Sequence, residues 1–272
     1  MPLTLAVLQH GGHGDDVDAN LRTLDEYAER AATAGADLLL TPEMFVTGYN
    51  IGDRAGVHAR LPLAERVGDI AARRRIRIAA GLPLPLHSGT TNSVVLLDED
   101  GRVRARYDKT HLFGSLDRCM FAPGAALPDA PVEICGVMVS FLICYDVEFP
   151  EAVRAAARAG TELLLVPTAQ MEPFAFVPEH LIRVRAWENQ IYLAYADRIG
   201  QEGELRYVGR SSIVAPSGDV LAAGNASDPA LLLARIDPAE VTAAQERNPY
   251  LADARAELYS PSPTSPLTKA SS

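Results

Sequence analysis

Cys144 stands where an apolar run stops. In SFLICYDVEFPE (Ser140–Glu151) it follows Phe141, Leu142 and Ile143, and acidic residues and a proline come directly after it. Pro150 and Glu151 are helix-start signals, because proline suits the first helical position and an acid there offsets the helix dipole. A strand-to-helix elbow of this kind exposes a side chain at the C-terminal edge of a sheet, where α/β folds place ligands. It also brings backbone N–H groups, such as that of Tyr145, near the thiol, where they can stabilise a thiolate or an oxyanion. Position alone favours a small core cysteine. A base within reach is what would make it a nucleophile.

The six histidines offer no such partner. None sits in an HExxH or HxH spacing, which also argues against a metal site. Two other segments do better. LLLTPEMF leaves Glu43 just past a strand, and ARYDKTHLFG leaves Lys109 just past a hairpin strand. Each taken singly reads as an ordinary exposed loop residue. Together they supply a carboxylate to take the thiol proton and later activate water, and an ammonium to stabilise a tetrahedral oxyanion.

These residues need strands to carry them. Short β-type runs alternate with helical ones. Leu3–Gln9 reads as a strand, and Ala19–Ala36 as a helix with Leu21, Leu24, Tyr27, Ala28 and Ala31 on one face. Asp37–Glu43 follows as a strand, then a helix over Leu63–Arg74, the strand RIRIAAGLP and a hairpin over Asn92–Lys109 with DEDG at its turn. The strand GVMVSFLIC leads to the helix PEAVRAAARAG and the strand TELLLVPT. A helix over Pro178–Asn189, the strand IYLAYAD, the hairpin SSIVAPSGDVLAAG and the late strand ALLLARID complete the pattern. Alternation broken by hairpins predicts an α/β fold with mixed sheets. No linker divides the chain, so one domain is expected over 1–259, with a C-terminal extension from about residue 246 and a Ser/Pro/Thr-rich, disordered tail over 260–272.

Composition narrows the function classes. With 25 basic and 35 acidic residues the formal net charge is −10, so a nucleic-acid partner is not expected. Cys119, Cys135 and Cys144 form no CxxC pair, and a sparse odd count suits a reducing compartment. The N-terminus reads as a first strand, with no signal peptide, and no apolar run approaches the ~18–20 residues of a membrane span. A cytoplasmic protein without a membrane partner is the expectation.

TPEMFVTGYN, YDKTHLFG and LICYDVEFPE, in that order, resemble the nitrilase-like carbon–nitrogen hydrolases, and the likeness runs from about Leu3 to Ala256. It implies a four-layer α-β-β-α sandwich of the nitrilase type, pairing as a homodimer through the helices after the nucleophile. It implies Glu43 as general base, Lys109 as oxyanion stabiliser and Cys144 as nucleophile, with no cofactor and no metal. PEMFVTGYNIG, KTHLFGSLDRCMFAPG, VPTAQMEPF, VRAWENQIYLAYAD and GRSSIVAPSGDVL look like the bacterial aliphatic amidases close to 5-aminopentanamidase. Nitrile-hydrolysing members usually carry tryptophan after the nucleophile; here Tyr145 stands there, as in amidase-like members.

The expected activity is therefore hydrolysis of a small aliphatic carboxamide, neutral or amine-bearing, to the acid and ammonia through a cysteine thioester. An N-carbamoyl amine hydrolase or nitrilase of the same fold, and more remotely a non-catalytic binding protein, are the alternatives. Tyr49, Asp117, Tyr145 and Gln170 are candidate substrate-binding residues. Close relatives often have glutamate where this chain has Ser115, so either Asp117 takes over as an extra carboxylate or substrate is oriented differently. Asp146, Glu148 and Glu151 are expected to hold the turn after Cys144, through Arg185 or Arg183.

Overall fold

The computed structural model describes residues 2–87 and 89–259; the tail expected to be disordered lies outside them. Five strands of the N-terminal half begin one sheet: β1 (Leu3–Gln9), β2 (Leu38–Leu40), β3 (Arg77–Leu86), β4 (Gly89–Leu97) and β5 (Val103–Asp108). A second sheet contains β6 (Val132–Ile134), β7 (Val137–Phe141), β8 (Leu163–Pro167) and β9 (Tyr192–Ala196). After a small hairpin, β10 (Gln201–Glu202) and β11 (Leu205–Arg206), the chain adds β12 (Ser212–Val214) and β13 (Val220–Ala223) to the second sheet. The last strand, β14 (Ala230–Ile236), returns to the first sheet and pairs antiparallel with β1 over its whole length. The strand orders are β14-β1-β2-β3-β4-β5 and β13-β12-β9-β8-β7-β6.

The alternation along β1 explains the layering. Leu3, Leu5 and Val7 join the apolar layer shared with Val139, Phe141 and Leu165 of the second sheet. Ala6 and Leu8 pack with the helices on the outer face. Those helices are α1 (Val17–Thr33), which buries Leu21, Leu24, Ala28 and Ala31, and α3 (Leu63–Arg74), which buries Val67, Ile70 and Ala71. A five-residue helix, α2 (Arg54–His58), precedes α3. Asp16 caps α1 by accepting from Ala19 N at 2.9 Å. A short helix, α4 (Gly114–Met120), follows β5. Over the second sheet lie α5 (Pro150–Arg158) and α6 (Ile182–Asn189), contributing Ala152, Val153, Ala156, Ile182 and Ala186 to the core. The result is an α-β-β-α sandwich. Each fully buried leucine contributes roughly 1.5–3 kcal/mol, so the leucine-rich layers within this sandwich hold much of its stability. In the extension, α7 (Pro238–Arg247) and α8 (Tyr250–Asp253) follow β14, and the Tyr250 ring meets Trp187 of α6 at 6.4 Å. Among the described residues, no helix is long and apolar enough to cross a membrane.

Several boundaries differ from the sequence reading, two of them with clear local causes or consequences. The strand expected over Asp37–Glu43 stops at Leu40. Pro42 has no N–H for a ladder, and Met44 adopts a φ of 50°, so Glu43 stands in a loop. The helix expected from Pro178 opens as a wide π-type turn over Val177–Leu181 and becomes α-helical at Ile182.

Candidate active site

Glu43 is held in place by backbone on both sides. Its N–H donates to the Thr168 carbonyl at 3.3 Å, across the seam between the sheets. Gly81 of β3 runs against the same loop, so closely that a β-carbon there would lie 2.5 Å from Met44 N and 2.8 Å from Pro42 O. The Glu43 side chain is fully buried. Its Oε1 accepts from Lys109 Nζ at 2.8 Å and from Asn92 Nδ2 at 2.6 Å, while Oε2 has no hydrogen-bond partner among the described residues. Burial raises its carboxyl above the ordinary range; Lys109 opposes that, and Asp117 adds to it. A carboxylate with one oxygen anchored and one free is equipped to exchange a proton. Gly81→Ala is expected to displace the loop and lower kcat by about 100-fold, the usual consequence of ångström-scale misplacement, with far-ultraviolet circular dichroism close to wild type.

Lys109 follows β5, whose end is fixed by Lys109 N donating to Asn92 O at 2.9 Å and Gly124 N donating to Lys109 O at 2.7 Å. Its ammonium lies between two carboxylates, 2.8 Å from Glu43 Oε1 and 2.7 Å from Asp117 Oδ2, all three side chains shielded from solvent. Burial alone would lower the lysine, but the carboxylates of Glu43 and Asp117 outweigh it and hold Lys109 well above its ordinary value. It is a permanent cation. Asp117 is no solvated loop acid. Oδ1 accepts from Tyr49 OH at 2.7 Å, and Oδ2 accepts from Phe113 N at 2.9 Å. Ser115 is exposed on the same short helix, so the carboxylate of α4 that reaches the lysine is Asp117.

Cys144 comes from the other sheet. β7 ends at Phe141, and the chain runs extended to Ile143 before a 3-10 turn over Cys144–Glu148. Cys144 has a φ of 48°, a left-handed conformation that costs a non-glycine residue of order 1–3 kcal/mol and that clusters at functional sites. Its thiol lies 3.8 Å from Gln170 Oε1. Burial and the charge of Glu43 push the thiol well up, against the pull of Lys109 and the Ala169 backbone, so it rests protonated.

Asp146 joins the cysteine turn to the lysine loop. Its Oδ1 accepts from His111 N and Thr110 Oγ1, each at 2.8 Å, and contacts His111 Nδ1 at 2.8 Å. Its Oδ2 accepts from Tyr107 OH at 2.9 Å and Ile143 N at 3.1 Å. His111 stacks on Phe149 with ring centroids 4.0 Å apart, a packing role. The pairing expected for the arginines is different in the structure. Arg185 donates to the backbone carbonyls of Val147 at 3.0 Å and Glu148 at 2.7 Å, and Arg183 donates to Gly218 O. A guanidinium under the turn satisfies the carbonyls that a short 3-10 turn leaves free, so the turn is held by its backbone. Glu151 is exposed.

The other candidates gather around these groups. Tyr49 and Gln170 are buried; Tyr145 is half-buried, its ring edge-on to Phe113 at 5.3 Å and Phe149 at 4.9 Å. Several polar residues of the site were not foreseen. Asn92 anchors Glu43. Asp197, fully buried at the end of β9, accepts from Gln170 N at 2.8 Å and so sets the Gln170 loop. Arg198, also fully buried, donates to the carbonyls of Gly11, Glu43 and Met44 and pairs with Glu202. Glu202 in turn accepts from Tyr49 N at 3.0 Å, Asn50 N at 2.8 Å and Tyr207 OH at 2.9 Å. This ion pair clamps both ends of the Glu43–Asn50 loop. Among the described residues, no group of three or more His, Cys, Asp or Glu side chains is placed to hold a metal ion.

A thiol, a carboxylate and an ammonium from three loops therefore meet at the common edge of two sheets. The carbon-nitrogen hydrolase family model matches residues 4–246. A hydrolase in the pqqF 5'region of Pseudomonas protegens is 45% identical over 250 residues, covering 90% of this chain and 86% of that protein. An (R)-stereoselective amidase of Pseudomonas sp. is 33% identical, covering 94% and 93%. Among solved structures, a mutant of the amidase from Nesterenkonia sp. AN1 superposes with a TM-score of 0.86 at 38% identity, covering 94% of this chain and 95% of that one; it shows covalent addition of the acetamide moiety of fluoroacetamide at its active-site cysteine. Fold, sequence and site geometry together place this chain in the carbon–nitrogen hydrolase family.

Proposed function

We propose that the protein hydrolyses small aliphatic carboxamides to the acid and ammonia through a thioester on Cys144. The observation that carries this reading is the free, buried Oε2 of Glu43 in the cluster that perturbs the Cys144 thiol. Because that thiol rests protonated, it needs a base at the moment of attack, and Glu43 is the carboxylate whose charge bears on it most. Sulfur attacks the amide carbon as Glu43 takes its proton. The negative oxygen is stabilised by the Lys109 ammonium and the Tyr145 N–H. The proton passes from Glu43 to the amide nitrogen, the carbon–nitrogen bond breaks, and ammonia leaves. Glu43 then deprotonates water, which attacks the thioester; the carbon–sulfur bond breaks, and the acid departs with the thiol restored. Asp117 keeps Lys109 oriented through the cycle, even when Glu43 is protonated. Every step uses groups of this chain.

The test is ammonia release from an aliphatic amide, its matching nitrile and an N-carbamoyl amine. Turnover of the amide is the expected result. Turnover confined to the nitrile or the carbamoyl compound would overturn it. We also infer that residues 1–259 act as one catalytic unit and that two copies pair across α5 and α6. Exposed Phe176, Val184 and Trp187 beside and on α6 support that pairing. Sedimentation equilibrium is expected to give twice the chain mass for the wild type and a shift toward the monomer for Trp187→Glu.

A further inference from the structure

Asp197 is a fully buried carboxylate that takes no part in the proton transfers above. It follows β9 directly, and its own N–H donates to Ser211 Oγ, just before β12, at 2.8 Å. Its Oδ1 accepts two backbone N–H groups, those of Gln170 and Arg198, each at 2.8 Å. Its Oδ2 is buried with no hydrogen-bond partner among the described residues. Burial holds this carboxyl well above the ordinary range, against the pull of the Gln170 and Arg198 N–H groups and the Arg198 charge. A carboxyl group bonded through one oxygen only serves as an acceptor fixed at a point more than as a charge.

The two N–H groups belong to segments that adjoin the reacting groups. Gln170 ends loop 168–170, which follows β8. In that loop Thr168 O accepts from Glu43 N at 3.3 Å, and Gln170 Oε1 lies 3.8 Å from the Cys144 sulfur. The Ala169 N–H between them acts on the same sulfur and favours its thiolate. Arg198 reaches the base: its Nη1 donates to the carbonyls of Glu43 and Met44, each at 3.3 Å. One oxygen atom therefore ties the loop beside the nucleophile to the arginine that holds the base loop. Losing it would leave two buried N–H groups unpaired, and both segments would be free to shift.

We propose that Asp197 is a positioning residue for both reacting groups: through Oδ1 it holds loop 168–170 against the Cys144 sulfur and keeps Arg198 in register with the Glu43 loop. This rests on the reading of Cys144 as nucleophile and Glu43 as base. It goes beyond that reading in tracing their mutual alignment to a residue that hydrogen-bonds to neither side chain. The position requires an acceptor at one point, so the place of the oxygen matters and the negative charge does not.

The experiment compares Asp197→Asn with Asp197→Glu. Asparagine removes the charge and keeps an acceptor oxygen in place of Oδ1; glutamate keeps the charge and carries its oxygens one methylene further. In ammonia release from an aliphatic amide, D197E is expected to lose about 100-fold in kcat with little change in KM, and D197N no more than about fivefold. A larger loss in D197N, or a D197E as active as D197N, overturns the proposal. Circular dichroism accompanies each assay. If the added methylene keeps D197E from folding, Asp197→Ala, which removes the acceptor without overfilling the site, takes its place with the same expected loss. A second readout needs no turnover: the rate at which iodoacetamide labels Cys144, followed peptide by peptide in a mass spectrometer with exposed Cys119 as internal reference. Withdrawing the Ala169 N–H lowers the thiolate fraction, so D197E is expected to label about tenfold more slowly than wild type, and D197N at close to the wild-type rate. A site that is merely loosened would expose the thiol and label faster. Unchanged or faster labelling in D197E refutes the positioning role, whether or not any amide is hydrolysed; a wild type that hydrolyses no amide refutes the amidase reading alone.

Discussion

Replacing Cys144 with alanine is expected to lower ammonia release from an aliphatic amide by about 10⁴-fold or more, because the variant has no atom that can carry the acyl group. The change is small in every other respect. Alanine occupies the same left-handed backbone position at a similar cost, since both residues have one β-carbon. Asp146 and Arg185 still hold the turn, as they bind its backbone and the lysine loop without touching the sulfur. Lys109 keeps both carboxylate partners. The expected variant is folded, binds amide and does not turn it over. Circular dichroism checks the fold, single-turnover ammonia assays check the chemistry, and residual activity within tenfold of wild type would reject Cys144 as the nucleophile.

Glu43→Gln is expected to lower kcat by about 10²- to 10⁴-fold, the range for removal of a general base. Glutamine can present its oxygen to Lys109 and Asn92 as Glu43 Oε1 does, so the anchored half of the side chain is conserved. What changes is the free Oε2, which becomes an amide nitrogen that cannot accept a proton. Lys109 stays charged through Asp117, so the loss is specific to proton transfer. The wild-type pH profile carries the same signature. Burial raises the Glu43 carboxyl above its ordinary 4.5, so the protonated, inactive form persists to higher pH than for a free glutamate. Activity should therefore rise with pH through an acid limb displaced above the usual carboxylate range, and that limb should vanish from the residual rate of E43Q. Because Lys109 is held well above 10.5, it should add no alkaline limb below that value. An acid limb unchanged in E43Q would mean that another group accepts the proton.

Much of the scaffold was legible from pattern alone. Leu3–Gln9 and Leu63–Arg74 fall where their apolar spacing puts them, because a two-residue or 3.6-residue period fixes which face is buried. The pairing of Ala230–Ile236 with the first strand was not legible, since period reveals a strand and not its neighbour. In the site, Glu43, Lys109 and Cys144 stood out because each lies at the end of a strand-like run. Asp197 ends the run IYLAYAD in the same way and could have been found by the same rule. Asn92 could not, since a polar residue opening a hairpin strand ordinarily faces water. Arg198 was equally hidden: its role lies in carbonyls from distant loops, and no local spacing encodes them. The arginine pairing went astray because a sequence shows side chains, and Arg185 binds main chain.

Asp146 binds groups from both halves of the sandwich, and the sheet begun at Leu3 is complete only when Ala230–Ile236 arrives. Neither half of the chain can therefore assemble the reacting groups by itself. Contacts so distant in sequence close late, after the loop entropy between them has been overcome. A nascent or partly refolded chain would have its strands and helices well before it had any chemistry. Its reactive thiol and carboxylate would meet only at the final docking step, so catalytic competence is a report on the whole fold.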